Sequence, residues 1–259
     1  MEIHTLASGS AGNSLLISSG TDHILIDAGI SCRKITTRLA SLGLALSDLR
    51  GIFITHTHRD HIDGLPVLTR KAKLPIYLTE HAAADLLCRK KDMEVDTLHY
   101  ILPQELVRLG KMEITGFSTS HDAPGSMGYL ISDGIRRAAV VTDLGYVSAS
   151  VHEAVRSVDA AVIESNYDAD WLRNGPYPYL LQERILGPTG HLSNECCAEL
   201  ALRLVREGTG LIILAHLSDE NNSPEHALKR VKDMLSDAGC CGVRISVAPR
   251  DSLSDCFEI

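Results

Sequence analysis

The 259-residue sequence has no long hydrophobic run. Its aliphatic stretches are the length of "LIIL" at 211–214, far short of the roughly 20 apolar residues that a bilayer span requires. No membrane partner is expected. The opening "MEIHTLASGSAGNS" has no basic segment followed by an apolar core. A secretory signal is therefore not expected, and the expected compartment is the cytosol. There is no CxxC pair. The seven cysteines are an odd number, with Cys196–Cys197 and Cys240–Cys241 adjacent and Cys32, Cys88 and Cys256 alone. That pattern excludes a disulfide framework or zinc knuckle and predicts buried, reduced thiols.

An excess of positive charge is also missing. The net charge of −8 weighs against a protein that coats nucleic acid by bulk electrostatics. It leaves room for a nuclease, because divalent ions and a local basic rim can offset it. Basic residues cluster at Arg70-Lys71-x-Lys73, Arg89-Lys90-Lys91, Arg136-Arg137 and Lys229-Arg230-x-Lys232. Such clusters are most often solvated faces. No low-complexity tract, long linker or charge block marks a boundary, so residues 1–259 are expected to form a single domain. At 44% hydrophobic and 22% charged, the chain reads as globular with a substantial core.

What is present is an alternation of short aliphatic runs and amphipathic segments. Strands are predicted at 23–27, 51–55, 75–78, 113–118, 127–131, 138–142, 160–164, 211–215 and 243–247. Helices are predicted at 32–42, 62–69, 80–89, 149–156, 194–206 and 224–238. The last opens on Ser223-Pro224, a capping serine followed by proline at the first helical position. A weak internal echo links "ILIDAGIS" at 24–31 with "VVTDLGYVS" at 140–148. Both run strand, Asp, Gly, helix.

Metal-competent residues follow the strands. "FIT" leads into His56, "ITGFSTS" into His121, "AAVVT" into Asp143 and "LIILA" into His216. In layered α/β folds, sites form where strand ends converge. The densest stretch is "HTHRDH", which packs His56, His58, Asp60 and His61 into six positions. With 12 His and 19 Asp in the chain, HxHxDH should arise by chance about 0.002 times. His56 and His58 are two apart in extended chain and point the same way. Asp60 and His61 follow as the chain turns and can face a second point. Imidazole with carboxylate suits Zn²⁺, Mn²⁺ or Fe²⁺ better than Ca²⁺ or Mg²⁺. Competing local roles exist: Asp60 could cap a helix starting at His61, and Asp143 could cap the segment after Gly145.

These residues, with "LASGSAGNS", "ESNYD", "GPYP", "GHLSN" and "LAHLSDENN", resemble the metallo-β-lactamase fold superfamily, in particular the YycJ/WalJ type of metallohydrolase. The resemblance spans nearly the whole chain. It implies an αββα sandwich of two mixed sheets with helices outside and a dinuclear site at one edge. It assigns His56, His58 and His121 to one divalent ion and Asp60, His61 and His216 to the other, with Asp143 bridging. Tyr167 receives no metal role.

The mechanism that follows uses a water or hydroxide shared by two ions (Zn, Mn or Fe) as nucleophile, with Asp60 and Asp143 as the catalytic carboxylates that hold it. His191, in the Gly-rich "GPTGHLSNE", is the expected proton donor to the leaving alkoxide. Asp27, ending "ILID", is expected to hydrogen-bond a ligand imidazole. Ser193 or Asn194 can cap the following helix. The expected activity is a phosphodiesterase acting on nucleic acid, exonuclease-like on DNA ends, as the resemblance implies. A thioesterase or lactonase and a non-catalytic regulatory module are the alternatives. The spacing from His121 to Asp143 to His216 leaves no room for an inserted clamp domain of the kind that large RNA-processing relatives carry. His4, His23, His81, His99, His152 and His226 have no partner pattern and are read as structural or exposed.

Overall fold

The computed structural model describes residues 1–91, 93 and 95–259. Its strands are β1 (Glu2–Ala7), β2 (Ser14–Ser19), β3 (Asp22–Ile26), β4 (Leu49–Phe53), β5 (Ile76–Leu78), β6 (Leu98–Tyr100), β7 (Leu106–Leu109), β8 (Met112–Ser118), β9 (Met127–Ser132), β10 (Arg137–Val141), β11 (Ala160–Glu164), β12 (Leu211–Ala215), β13 (Arg244–Val247) and β14 (Phe257–Glu258). The helices are α1 (Cys32–Ser41), α2 (Arg59–Ile62), α3 (Leu65–Lys71), α4 (Glu80–Arg89), α5 (Ala149–Ala154), α6 (Ala169–Asn174), α7 (Tyr179–Leu186), α8 (Asn194–Arg206) and α9 (Pro224–Asp237). No helix among the described residues is long and apolar enough to cross a membrane.

The strands form two seven-stranded mixed sheets, ordered β14-β1-β2-β3-β4-β5-β6 and β13-β12-β11-β10-β9-β8-β7. In the first, β3 to β6 run parallel; in the second, β10 to β13 do. Alternation on the strands divides the apolar residues among three layers. Ile3, Ile17, Ile24 and Phe53 meet Ile114, Tyr129, Val140 and Ile213 between the sheets. Leu25 and Ile52 face α1, α3 and α4, while Ile163 and Leu214 face α5, α8 and α9. The expected αββα sandwich is the architecture found.

Predicted strands and long helices fall within a residue or two of their observed positions. The differences have physical causes. The helix expected at 62–69 is two helices, α2 and α3, because the chain pauses at Asp63-Gly64, where Gly64 N–H donates to Ala28 O. β1 and β2 carry Ser and Thr among their apolar residues, which blurs a period-2 signal. β6, β7 and β14 are two to four residues long. α6 and α7 flank the breaker run "NGPYP". The thiols also depart from expectation. All seven cysteines are free, but only Cys32 and Cys197 are buried, and Cys88, Cys241 and Cys256 are exposed.

Two features fix the exit of β4, where the histidine cluster begins. Tyr129, fully buried on the opposite sheet, donates its hydroxyl to Ile54 O at 2.6 Å, and Met127 N–H donates to Thr55 O at 2.9 Å. From the other side, the loop after β3 presses against the loop after α2's start. Asn13 N–H donates to Asp60 O, Gly29 N–H to Asn13 O, and Ala28 N–H to His61 O. Gly29 permits this approach: a Cβ there would stand 1.6 Å from Asp60 O. Gly29→Ala is expected to cost roughly 1–3 kcal/mol by overpacking, read as a lower urea midpoint with an unchanged m-value.

Candidate metal centre

The carboxyl ends of β3, β4, β10, β11 and β12, with the loop after β8, converge on one edge of the sandwich. They bring together all seven predicted ligands. His56, His58 and His121 form one group whose ligand atoms lie within 4.8 Å of one another, and Asp60, His61 and His216 form a second. Asp143 groups with His56 and His61 on one side and with His216 on the other. These groups have the same members as the two sets that the resemblance implies, and α2 begins one residue after His58. Asp60 is inside that helix and is no cap. Asp143 makes no capping bond among those described.

Three of the strand-end residues have a left-handed backbone: Asp27 (φ 62°), Asp143 (φ 59°) and His216 (φ 55°). For a residue with a Cβ this conformation costs about 1–2 kcal/mol, and such strain persists where surrounding structure enforces it. Here it turns each side chain back across the sheet end into the site. Asp27 and Asp143 occupy matching places in the two echoed segments, so the sequence echo corresponds to a repeated strand–turn geometry.

Second contacts orient the imidazoles of His61 and His121. His61 Nδ1 lies 2.7 Å from Asp27 Oδ2, whose other oxygen accepts from Thr55 N–H at 2.8 Å. The predicted supporting role of Asp27 thus falls on His61. His121 Nδ1 lies 3.0 Å from Gly190 O. A carbonyl only accepts, so Nδ1 carries the proton and Nε2 presents its lone pair to the centre. That Nε2 is 3.2 Å from His58 Nδ1.

Electrostatics separates the two groups. Burial, together with His61, His121 and His58 as neighbours, holds His56 well below the ordinary histidine value. Burial and the repulsion of His121 lower His58 to about 4. Both are neutral, ligand-ready imidazoles at pH 7. Burial works against protonation of His61 and His216 too, but carboxylates prevail: Asp143, Asp27 and Asp60 raise the first, and Asp143, Asp60 and Glu164 the second. Burial would likewise raise Asp60, yet His61 and His216 hold it far below the usual carboxylate range. A cation among these carboxylates takes the place of those protons.

The donors fit metal ions by a further test. His56 Nε2 and Asp143 Oδ2 are buried without a hydrogen-bond partner. An unpaired buried polar atom carries its full desolvation cost, and two such atoms side by side in a His/Asp nest are what divalent cations satisfy.

Several residues of the site escaped the sequence reading. Glu164 is fully buried, and its Oε1 lies 2.7 Å from His191 Nδ1 and 3.0 Å from His216 Nδ1. Its Oε2 accepts from Leu144 and Leu192 N–H, each at 3.1 Å. Burial opposes its ionisation, but His191 and His216 hold it ionised. The signal was available: Glu164 ends "AAVIE", by the same strand-end rule that selected its neighbours. Asn13 Nδ2 reaches Asp60 Oδ2 at 3.2 Å, which gives the "SGSAGNS" loop a specific role. Asp122 Oδ1 stands 3.4 Å from His58 Nε2 and its other oxygen pairs with Arg184.

His191 lines the cleft beside these groups, and Ser193 rather than Asn194 caps α8. The cleft encloses about 370 Å³; Arg59, Arg89 and Arg184 stand on it, together with Tyr177 and Leu181. Of the four basic clusters, only Arg89's contributes to the lining. A slightly larger pocket of about 420 Å³, under Gln104, Phe117 and Leu130, shares no residue with the centre.

A family model described as "Beta-lactamase superfamily domain" matches residues 22–217. With the sheet pattern and the His/Asp centre, this defines the class: the chain belongs to the metallo-β-lactamase superfamily and is a metal-dependent hydrolase. Among curated proteins it is 35% identical to exodeoxyribonuclease YycJ of Bacillus anthracis, over 92% of this chain and 90% of that one. It is 37% identical to exodeoxyribonuclease WalJ of Streptococcus pneumoniae, over 96% and 93%. Among solved structures it resembles the metallo-β-lactamase fold protein YhfI of Bacillus subtilis, with TM-score 0.74 and 19% identity, covering 98% of each chain.

Removing the anionic acceptor behind His61 tests how far the centre depends on its support. Asp27→Asn is expected to weaken metal retention 10–100-fold, measured by competition with a chromophoric chelator, while the far-ultraviolet spectrum is unchanged.

Proposed function

We propose that this hydrolase is a two-metal phosphodiesterase that shortens DNA from its ends. One observation carries the reading: two ligand triads, His56/His58/His121 and Asp60/His61/His216, lie on either side of a single buried carboxylate, Asp143. Bound there, two divalent ions would supply an acidified water and positive charge opposite the phosphoryl oxygens. Zinc, manganese and iron all suit this donor set.

The chain's own groups complete the chemistry. His191 is fixed through Nδ1 by Glu164, which leaves Nε2 to hold a proton for the departing oxygen. The same Glu164 oxygen orients His216, so proton donor and ligand are registered against each other. Arg59, Arg89 and Arg184, from α2, α4 and α7, place guanidinium groups on the cleft where phosphates can reach them, each also paired with a carboxylate, Asp63, Asp85 and Asp122. The similarity to the exodeoxyribonucleases YycJ and WalJ supports DNA as the polymer.

The deciding experiment offers metal-reconstituted protein end-labelled DNA and RNA, single- and double-stranded, beside bis-p-nitrophenyl phosphate and a thioester. Progressive shortening of DNA from an end is expected. Thioester cleavage with no phosphodiester cleavage overturns the reading. Asp143→Ala is expected to stay folded, to lose hydrolysis and to retain metal poorly; near-normal turnover by that variant sinks the dinuclear arrangement. His191→Ala is expected to lower kcat on DNA by about 10²–10⁴ at unchanged metal content. It should spare bis-p-nitrophenyl phosphate, whose leaving group needs no proton. Equal losses on both substrates remove His191 from the donor role.

A further inference from the structure

The first strand and the residue just before the last one bring together a second group of metal-competent side chains, none of which lines the cleft. Glu2 and His4 are two apart on β1, so they project from the same face. β14 runs antiparallel to β1, with Glu2 opposite Glu258 and Ile3 opposite Phe257. Continued by one residue, that register brings Cys256 opposite His4. One ligand atom each from Glu2, His4 and Cys256 lies within 4.8 Å of the other two. His4 is only 7% exposed, and its Nδ1 is buried without a hydrogen-bond partner. Cys256 is a free, exposed thiol.

We propose that Glu2, His4 and Cys256 form a third metal site, separate from the catalytic centre, that takes a borderline-soft divalent ion such as Zn²⁺. Thiolate, imidazole and carboxylate are the three donor types zinc accepts, and three protein ligands plus a water complete a tetrahedron. Binding displaces the thiol proton to solvent. Glu258, opposite Glu2, adds negative charge beside the ion. The chemistry differs from that of the main centre, whose candidate ligands include no sulfur. An ion here ties β14 to β1 and stabilises the native chain by mass action, since the unfolded chain does not hold these residues together.

The sulfur gives a readout that the His/Asp centre cannot produce. Protein loaded with Co²⁺ is expected to show a near-ultraviolet thiolate-to-cobalt charge-transfer band. Cys256→Ser should abolish that band and hold one fewer cobalt per chain, while its turnover of bis-p-nitrophenyl phosphate matches the parent protein. Cys88→Ser and Cys241→Ser, at the other exposed thiols, should keep the band. Glu2→Gln should weaken cobalt binding at this site by at least about 10-fold, the low end of what loss of even a supporting group costs. No band in the parent protein overturns the site, as does a band that survives Cys256→Ser, or equal metal counts in the two proteins. None of these readouts requires that DNA be the substrate.

Discussion

The catalytic edge depends on buried carboxylates that accept from imidazole Nδ1 atoms. Asp27 does this for His61 at the end of β3, and Glu164 does it for His216 and His191 at the end of β11. Each carboxylate is also held by backbone N–H groups. In a low-dielectric interior an ionised carboxylate survives only with such partners. For His61 and His216 this fixes Nδ1 as the protonated ring nitrogen and aims Nε2 inward. One such carboxylate stands in each sheet, so the two halves of the sandwich support the centre in the same way.

The backbone cooperates with this arrangement. A strand that continued in extended conformation would point its next side chain to one face of the sheet. Left-handed turns at Asp27, Asp143 and His216 instead fold the side chain over the sheet end. Glycine takes that conformation without strain, yet it would bring no ligand. The chain keeps the strained residue, and the hydrogen bonds around it, such as Ser8 Oγ on His216 N–H at 2.8 Å, hold it there.

Much of this was legible in the sequence, because metal ligands and strand ends both leave local marks. His56, His58, Asp60 and His61 declare themselves by spacing; His121, Asp143 and His216 by the aliphatic run before each. Asp27 was found by the same logic, and Glu164 was missed although it obeys it. Asn13 and Asp122 were not legible in that way. Their roles come from loops that meet only after folding, across 47 residues for Asn13 and Asp60. The short strands and α6–α7 were lost for a different reason: two to eight residues beside glycine and proline do not sustain a period. The cysteine expectation failed because composition speaks to redox state and not to burial.

The order of the site along the chain has a consequence for its assembly. Asp60 and His216 meet at 3.2 Å but are 156 residues apart in sequence. At 5–20 residues per second that interval is roughly 8–30 s of synthesis. During it the growing chain already carries the imidazoles of "HTHRDH" but lacks the opposite wall. An ion captured then would meet half a coordination shell and exchange freely. The full set of facing His and Asp side chains is therefore a property of the finished chain, complete only once β12 has left the ribosome.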